Sequence, residues 1–101
     1  MPISEISVER KVVAYAKRNG WFVRKVSWIG QVGAPDRVFI RKGLTIWVEF
    51  KAPGRKPRPS QLAEHHLMKR AGSAVFVVDD PEMGIAILQA YEHRPVGFSI
   101  A

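Results

Sequence analysis

The sequence predicts an α/β domain: a small mixed sheet flanked by helices, with elements in the order α-β-β-β-α-β-α. Three observations carry that expectation. An apolar stripe of helical period opens the chain, and three aromatic and β-branched segments separated by glycine-bearing turns follow it. A helix–strand–helix pattern then completes the order, and the 101 residues, 47% of them hydrophobic, suffice for one core. Residues 1–101 are therefore read as a single domain.

Residues 4–19 form the first helix. Ser4 stands at the N-cap position, Val8, Val12, Val13 and Ala16 recur with a period of 3.6, and Asn19-Gly20 ends the run. WFVRKVSW at 21–28 is aromatic and β-branched, as a strand should be. IGQVGAP at 29–35 carries two glycines and reads as a loop. VFI at 38–40, a Lys42-Gly43 turn and LTIWVEF at 44–50 then make a hairpin. APGRKPRP at 52–59 is a basic loop stiffened by Pro53, Pro57 and Pro59. Ser60 is the expected N-cap of the helix that follows, QLAEHHLMKRAG, with Lys69 and Arg70 in its last turn and Gly72 beyond. SAVFVVD at 73–79 is a continuous apolar strand, with Phe76, Val77 and Val78 expected in the core. Asp80-Pro81 supplies a cap and first turn for a helix over about 82–92. The tail RPVGFSIA is compatible with an added edge strand.

Composition narrows the function. The chain has no cysteine, which excludes a disulfide framework and a thiolate zinc site and fits a reducing compartment. No apolar run approaches the roughly 18–20 residues that cross a bilayer, and MPISEISVERK lacks the apolar segment of a signal peptide. A cytoplasmic protein with no membrane partner is expected. Sixteen Lys and Arg against nine Asp and Glu give a formal +7. A balance this basic points to a polyanionic partner, and nucleic acid is the commonest.

One strand breaks its own pattern. In WVEFKA, Glu49 and Lys51 interrupt the apolar run from Leu44, and strand geometry points both side chains to one face. If Lys42-Gly43 is a two-residue hairpin loop, Arg41 pairs with Leu44 and Asp36 falls opposite Glu49. Opposed Cβ atoms lie about 4.5–5.5 Å apart, where like charges destabilise a sheet. A one-residue slip would set Asp36 against Val48 instead. In the paired register a hard divalent cation resolves the conflict, because Mg²⁺ or Mn²⁺ takes carboxylate oxygens. Glu9 is the second anomaly, since its i+3, i+4 and i+7 neighbours are Val12, Val13 and Ala16. Glu5, one turn earlier on the same side, is the alternative acid. Glu9, Asp36 and Glu49 with Lys51 leave a net of two negative charges, which one divalent ion neutralises. Such an ion acidifies a bound water and polarises a phosphoryl oxygen, and Lys51 is placed to orient the water or steady charge on phosphate. An ordinary surface ion pair is the competing reading of Glu49 and Lys51, and an apolar strand suits it poorly.

These residues resemble the PD-(D/E)XK nuclease pattern, and within it the VRR-NUC (virus-type replication-repair nuclease) domain. The likeness lies in GAPDRVFI…WVEFKAPGRKPRPSQ: a Gly-rich approach to Pro35-Asp36, a hairpin, Glu49-Phe50-Lys51, a basic loop, and Gln61 opening the next helix. The resemblance implies a restriction-endonuclease-like fold and a Mg²⁺- or Mn²⁺-dependent DNA endonuclease. It makes Asp36, Glu49 and the Phe50 carbonyl metal ligands, Lys51 the catalytic lysine, and Glu9 and Gln61 supporting members of the site. Viral-type single-domain members are similar to Holliday-junction resolvases, which implies a homodimer cutting branched DNA in a bacterial or phage-infected cell. A catalytically inactive basic DNA-binding module of the same fold, an architectural partner in a replication complex, and a restriction-like enzyme on linear duplex are the alternatives.

The remaining features have assignments too. Arg55, Lys56 and Arg58 are expected to clamp phosphates beside the scissile bond; Arg24, Lys25, Arg37, Arg41 and Lys42 extend that track if their faces agree. Adjacent His65 and His66 point about 100° apart on a helix and read as ordinary helix residues. His65 nevertheless shares a side with Gln61. Trp21, Trp28 and Trp47 read as core or interface residues rather than base-stacking platforms.

Overall fold

A computed structural model describes residues 3–94. Seven elements follow one another: α1 (Glu5–Arg18), β1 (Phe22–Lys25), β2 (Arg37–Arg41), β3 (Leu44–Phe50), α2 (Pro59–Arg70), β4 (Ala74–Val78) and α3 (Pro81–Glu92). The order is the one the sequence predicts. The strands lie β1-β2-β3-β4, antiparallel at the first two joins and parallel between β3 and β4, where α2 makes the crossover. Among the described residues no helix is long and apolar enough to cross a membrane.

Local chemistry accounts for most boundaries. The Ser4 hydroxyl accepts the Ser7 N–H at 3.1 Å and starts α1. Asp80 does the same for α3, taking the Met83 N–H at 3.1 Å, with Pro81 in the first turn. The β2–β3 turn is Lys42-Gly43, both at positive φ (50° and 80°), as a two-residue hairpin of matching twist requires. Two expectations shift. The first strand stops at Lys25 rather than residue 28: past the Lys25↔Arg37 pair one more bond, from the Val26 N–H to the Asp36 carbonyl at 2.9 Å, ends the pairing. The cap of α2 is Arg58, not Ser60. Pro59 takes the first helical position, and the Gln61 side chain reaches back to accept the Arg58 N–H at 2.8 Å. The expected edge strand in the tail falls outside the described residues, apart from Arg94.

The sheet has two unlike faces. Ile46, Val48 and Phe50 join Phe39, Val23 and Val78 under α1 and α3, where Val8, Val12, Ala16 and Leu88 complete a dry core. Helices α1 and α3 touch closely. A Cβ at Gly84 would lie 2.7 Å from Val12 Cγ2, nearer than any real Cβ comes. Alternation sends Trp47 and Glu49 to the other face, beneath α2. One carboxylate then ties the first face together: Glu92 accepts Tyr15 Oη at 2.9 Å and Trp21 Nε1 at 2.8 Å.

Candidate active site

The site begins with a break in the ladder. Register runs as expected from Arg41↔Leu44 to Arg37↔Val48. The Asp36 N–H then donates to the Val48 carbonyl at 3.0 Å, so two residues of one strand meet one of the other, a β-bulge. Asp36 is thus not squarely opposite Glu49. The bulge turns its carboxylate onto the end of β3, where Oδ2 accepts the Phe50 N–H at 2.8 Å. Its charge still acts strongly on Glu49, as described below.

Glu49 is only 2% exposed, an unusual place for a carboxylate. Gln61 Nε2 donates to its Oε2 at 2.9 Å, and Lys51 Nζ lies 3.6 Å from the same oxygen. Its other oxygen, Oε1, is buried with no hydrogen-bond partner and faces His65 Nε2 at 3.9 Å. His65 Nε2 is likewise buried and unpartnered. Burial first, and the neighbouring Asp36 charge second, push the Glu49 carboxyl up to about 7, with Lys51 pulling the other way. Burial, then the Lys69 charge, lowers the His65 imidazole below its usual range and favours its neutral form. A neutral ring cannot balance a carboxylate. The one cation at hand, Lys51, stands at Oε2, and Oε1 is left without a partner.

Helix α2 builds one wall of this pocket. Gln61 and His65 are one turn apart on a single face, both buried. His65, read from sequence as an ordinary helix residue, is therefore part of the site. Its i, i+4 relation to Gln61 was the available signal. On α1 the two acids separate. Glu9 Oε2 is 2.6 Å from Arg37 Nε, whereas Glu5 is the α1 acid whose charge raises Glu49. Arg55, Lys56 and Arg58 are all exposed on the loop that leaves the site, and the Gly54 N–H donates to Asp79 Oδ2 at 3.0 Å to pin that loop. The approach to Asp36 is also fixed. Trp28 Nε1 donates to Glu64 Oε2 at 2.6 Å, its ring stands edge-on to Trp47 at 5.7 Å, and Gly33 lies against the Ser60 carbonyl. The tryptophans serve as packing residues: Trp21 is buried and Trp47 half-buried.

Comparison with known proteins bears on the family and the fold. No protein-family model matches the sequence. A protein of Acyrthosiphon pisum secondary endosymbiont phage 1, which bears the name "Putative nuclease p44", is 39% identical over 82 residues, covering 80% of this chain and 88% of that one. A solved structure described as a VRR-NUC domain superposes with a TM-score of 0.70 at 36% identity, covering 83% of this chain and 97% of that chain. The chain belongs to the VRR-NUC family. Its αβββαβα order and mixed four-stranded sheet are those of the VRR-NUC fold, as the PD…EFK pattern leads one to expect.

The donor set suits a hard cation. Among the described residues no three His, Cys, Asp or Glu side chains gather tightly enough to hold a metal alone. Two carboxylates and a carbonyl would share an ion with water and phosphate oxygens, which is how Mg²⁺ is usually bound. The unpartnered Glu49 Oε1, buried beside a second acid, is a lone-pair demand that such an ion satisfies.

Proposed function

We propose that this VRR-NUC chain is a divalent-metal-dependent endodeoxyribonuclease, acting as a homodimer on branched DNA. One observation carries the metal dependence: a fully buried Glu49 with one orphaned oxygen, its carboxyl raised by burial and by Asp36. Lys51 and Gln61 serve Oε2 alone, and leaving a buried carboxylate oxygen without a partner costs about 1–3 kcal/mol, which stability alone does not call for. Support for phosphodiester chemistry comes from the family, from the phage relative named as a nuclease, and from a formal charge of +7. Support for branched DNA and the homodimer rests on the resemblance to resolvases.

Asp36, Glu49 and the Phe50 carbonyl would hold Mg²⁺ or Mn²⁺. A bound divalent ion supplies Lewis acidity toward a phosphoryl oxygen and a more acidic water. The chain's own residues do the rest. Asp36 Oδ2 is anchored on the Phe50 N–H, which holds the carboxylate at the end of β3 and leaves its second oxygen for the ion. Gln61 holds Glu49 Oε2 and so leaves Oε1 facing inward. His65 faces Oε1 at 3.9 Å and helps to bury it. Lys51, with its side chain only 12% exposed, orients the attacking water or steadies the charge that develops on the phosphate. Glu5 adds to the acidic field, and Glu9 acts through Arg37, the neighbour of Asp36. Arg55, Lys56 and Arg58 grip the flanking phosphates.

The test is direct. Purified protein with Mg²⁺ or Mn²⁺ is offered four-way junctions, flaps and linear duplexes, with Lys51→Ala and Asp36→Asn as controls. Paired nicks on opposite arms of a junction, lost in both variants, are expected. Cleavage that survives both substitutions removes the site assignment, and cutting of linear duplex alone removes the branched-DNA dimer. Tight salt-sensitive binding with no cutting under any condition would make the protein a binding module.

A further inference from the structure

A second feature lies beside the site rather than in it. The outer side of α1 and the edge formed by β1 and β2 enclose an open groove of about 510 Å³. Arg10, Lys17, Lys25 and Arg37 line it, over a floor that includes Ile6 and Ala14. The acid in that lining, Glu9, is already held by Arg37 at 2.6 Å. Arg10, Lys17 and Lys25 are exposed and, among the described residues, have no carboxylate within 4.0 Å. Three cations without an ion-pair partner among the described residues thus line one concavity and give it a positive potential.

Position and spacing specify the ligand. Arg37 directly follows Asp36 and pairs with Lys25, so the groove, on the α1 face of the sheet, ends beside the strand that Asp36 leads into. Arg10 and Lys17 are seven residues apart on one helix face, about 10 Å by helix rise. Two flexible basic side chains at that separation can reach neighbouring phosphates of one strand. Basic walls over an apolar floor fit a sugar–phosphate chain: phosphates meet Arg10, Lys17 and Lys25, and deoxyriboses meet Ile6 and Ala14.

We infer that this groove holds the sugar–phosphate backbone of the strand running away from the scissile phosphate, on the side opposite the Arg55–Arg58 loop. The inference rests on the nuclease reading for its direction toward the site but not for the binding itself. A strand held on both sides would reach Asp36 and Glu49 in a fixed orientation, which is the shape-reading a small domain needs.

The experiment measures binding of a fluorescein-labelled branched DNA by anisotropy over a range of salt, without divalent metal. Removing one cation that neutralises a phosphate should flatten the plot of log K against log salt by about 0.9. The double variant Arg10→Ala/Lys17→Ala is expected to flatten it by about twice that. KM for DNA should rise severalfold, with much less change in kcat. Lys11→Ala/Arg18→Ala, which removes the same charge from a neighbouring side of α1, should leave the slope near wild type. An unchanged slope in the groove variant, or an equal loss in both, overturns the groove. Binding to DNA that is insensitive to salt in the wild type overturns it as well. If the groove variant loses slope while the wild type cuts nothing with any metal, the groove stands and the nuclease reading falls.

Discussion

At the scale of single residues, the decisive group is Glu49, and its protonation makes a stability prediction. An ordinary glutamate titrates at 4.5, whereas Glu49 is raised to about 7, so between these values the folded state holds the extra proton. Stability from this group therefore falls as pH climbs through that window and is level on either side. Glu49→Gln removes the fall. Without metal, the stability of the variant relative to wild type should therefore rise by on the order of 3 kcal/mol from below the window to above it, because the amide does not titrate. Thermal unfolding in chelator across that range checks it, and equal pH slopes in the two proteins would refute the raised Glu49 carboxyl. Added Mn²⁺ should raise the wild-type midpoint most above the window, where metal no longer competes with the proton, and leave Glu49→Gln unmoved. Glu49 and Lys51 are conspicuous in sequence because they interrupt an apolar run, and Asp36 is reached from them through the hairpin register. His65 was not legible. Its sequence shows two histidines pointing apart, and only the seating of α2 over β3 decides which one is buried at 3% exposure.

At the scale of elements, the site depends on how the loop before Asp36 is pressed against α2. Gly33 sits at φ 96°, and a Cβ there would fall 2.4 Å from the Ser60 carbonyl oxygen, a backbone atom that cannot swing away. Gly33→Ala should cost about 1–3 kcal/mol and lower kcat further than it lowers stability, because the displaced segment carries Pro35-Asp36. Gly54→Ala is the control. Its φ is similar, 80°, but nothing lies within 4 Å, so it should cost only about 1–2 kcal/mol of left-handed strain. Urea midpoints and single-turnover rates separate the two, and equal effects on both would mean that the contact with Ser60 does not matter. Element order could be read from periodicity and turn residues. Boundaries that depend on a partner could not. The end of β1 is set by where β2 starts, and Gln61 rather than Ser60 completes the cap of α2 because a long side chain can reach back to Arg58. The bulge at Asp36 belongs to the same class: a two-residue turn predicts the register, but not where the ladder ends.

At the scale of the whole molecule, the sheet divides its labour between two ends and two faces. The core lies under α1 and α3, and the hairpin turn end is closed by Glu92, which accepts from Tyr15 and Trp21. The chemistry gathers at the other end, past Arg37, on the side that α2 covers. Nothing in the sequence joins residues 15, 21 and 92, since contacts so distant along the chain appear only once the layers have packed. The separation predicts that the clasp and the site respond independently. Glu92→Ala strips the acceptor from the Trp21 indole, which is 5% exposed, and from a Tyr15 hydroxyl whose pKa is raised first by burial and then by Glu92. Unsatisfied donors of this kind cost about 1–3 kcal/mol. The five residues of β2 set this clasp about 15 Å from Asp36 by strand rise. Glu92→Ala should therefore lower the unfolding midpoint, shift tryptophan emission and lower the Tyr15 titration, while cleavage per folded molecule changes by less than about twofold. Loss of cleavage in protein that circular dichroism shows to be folded would mean that the two ends are coupled through the sheet, and that the helical face takes part in shaping the site.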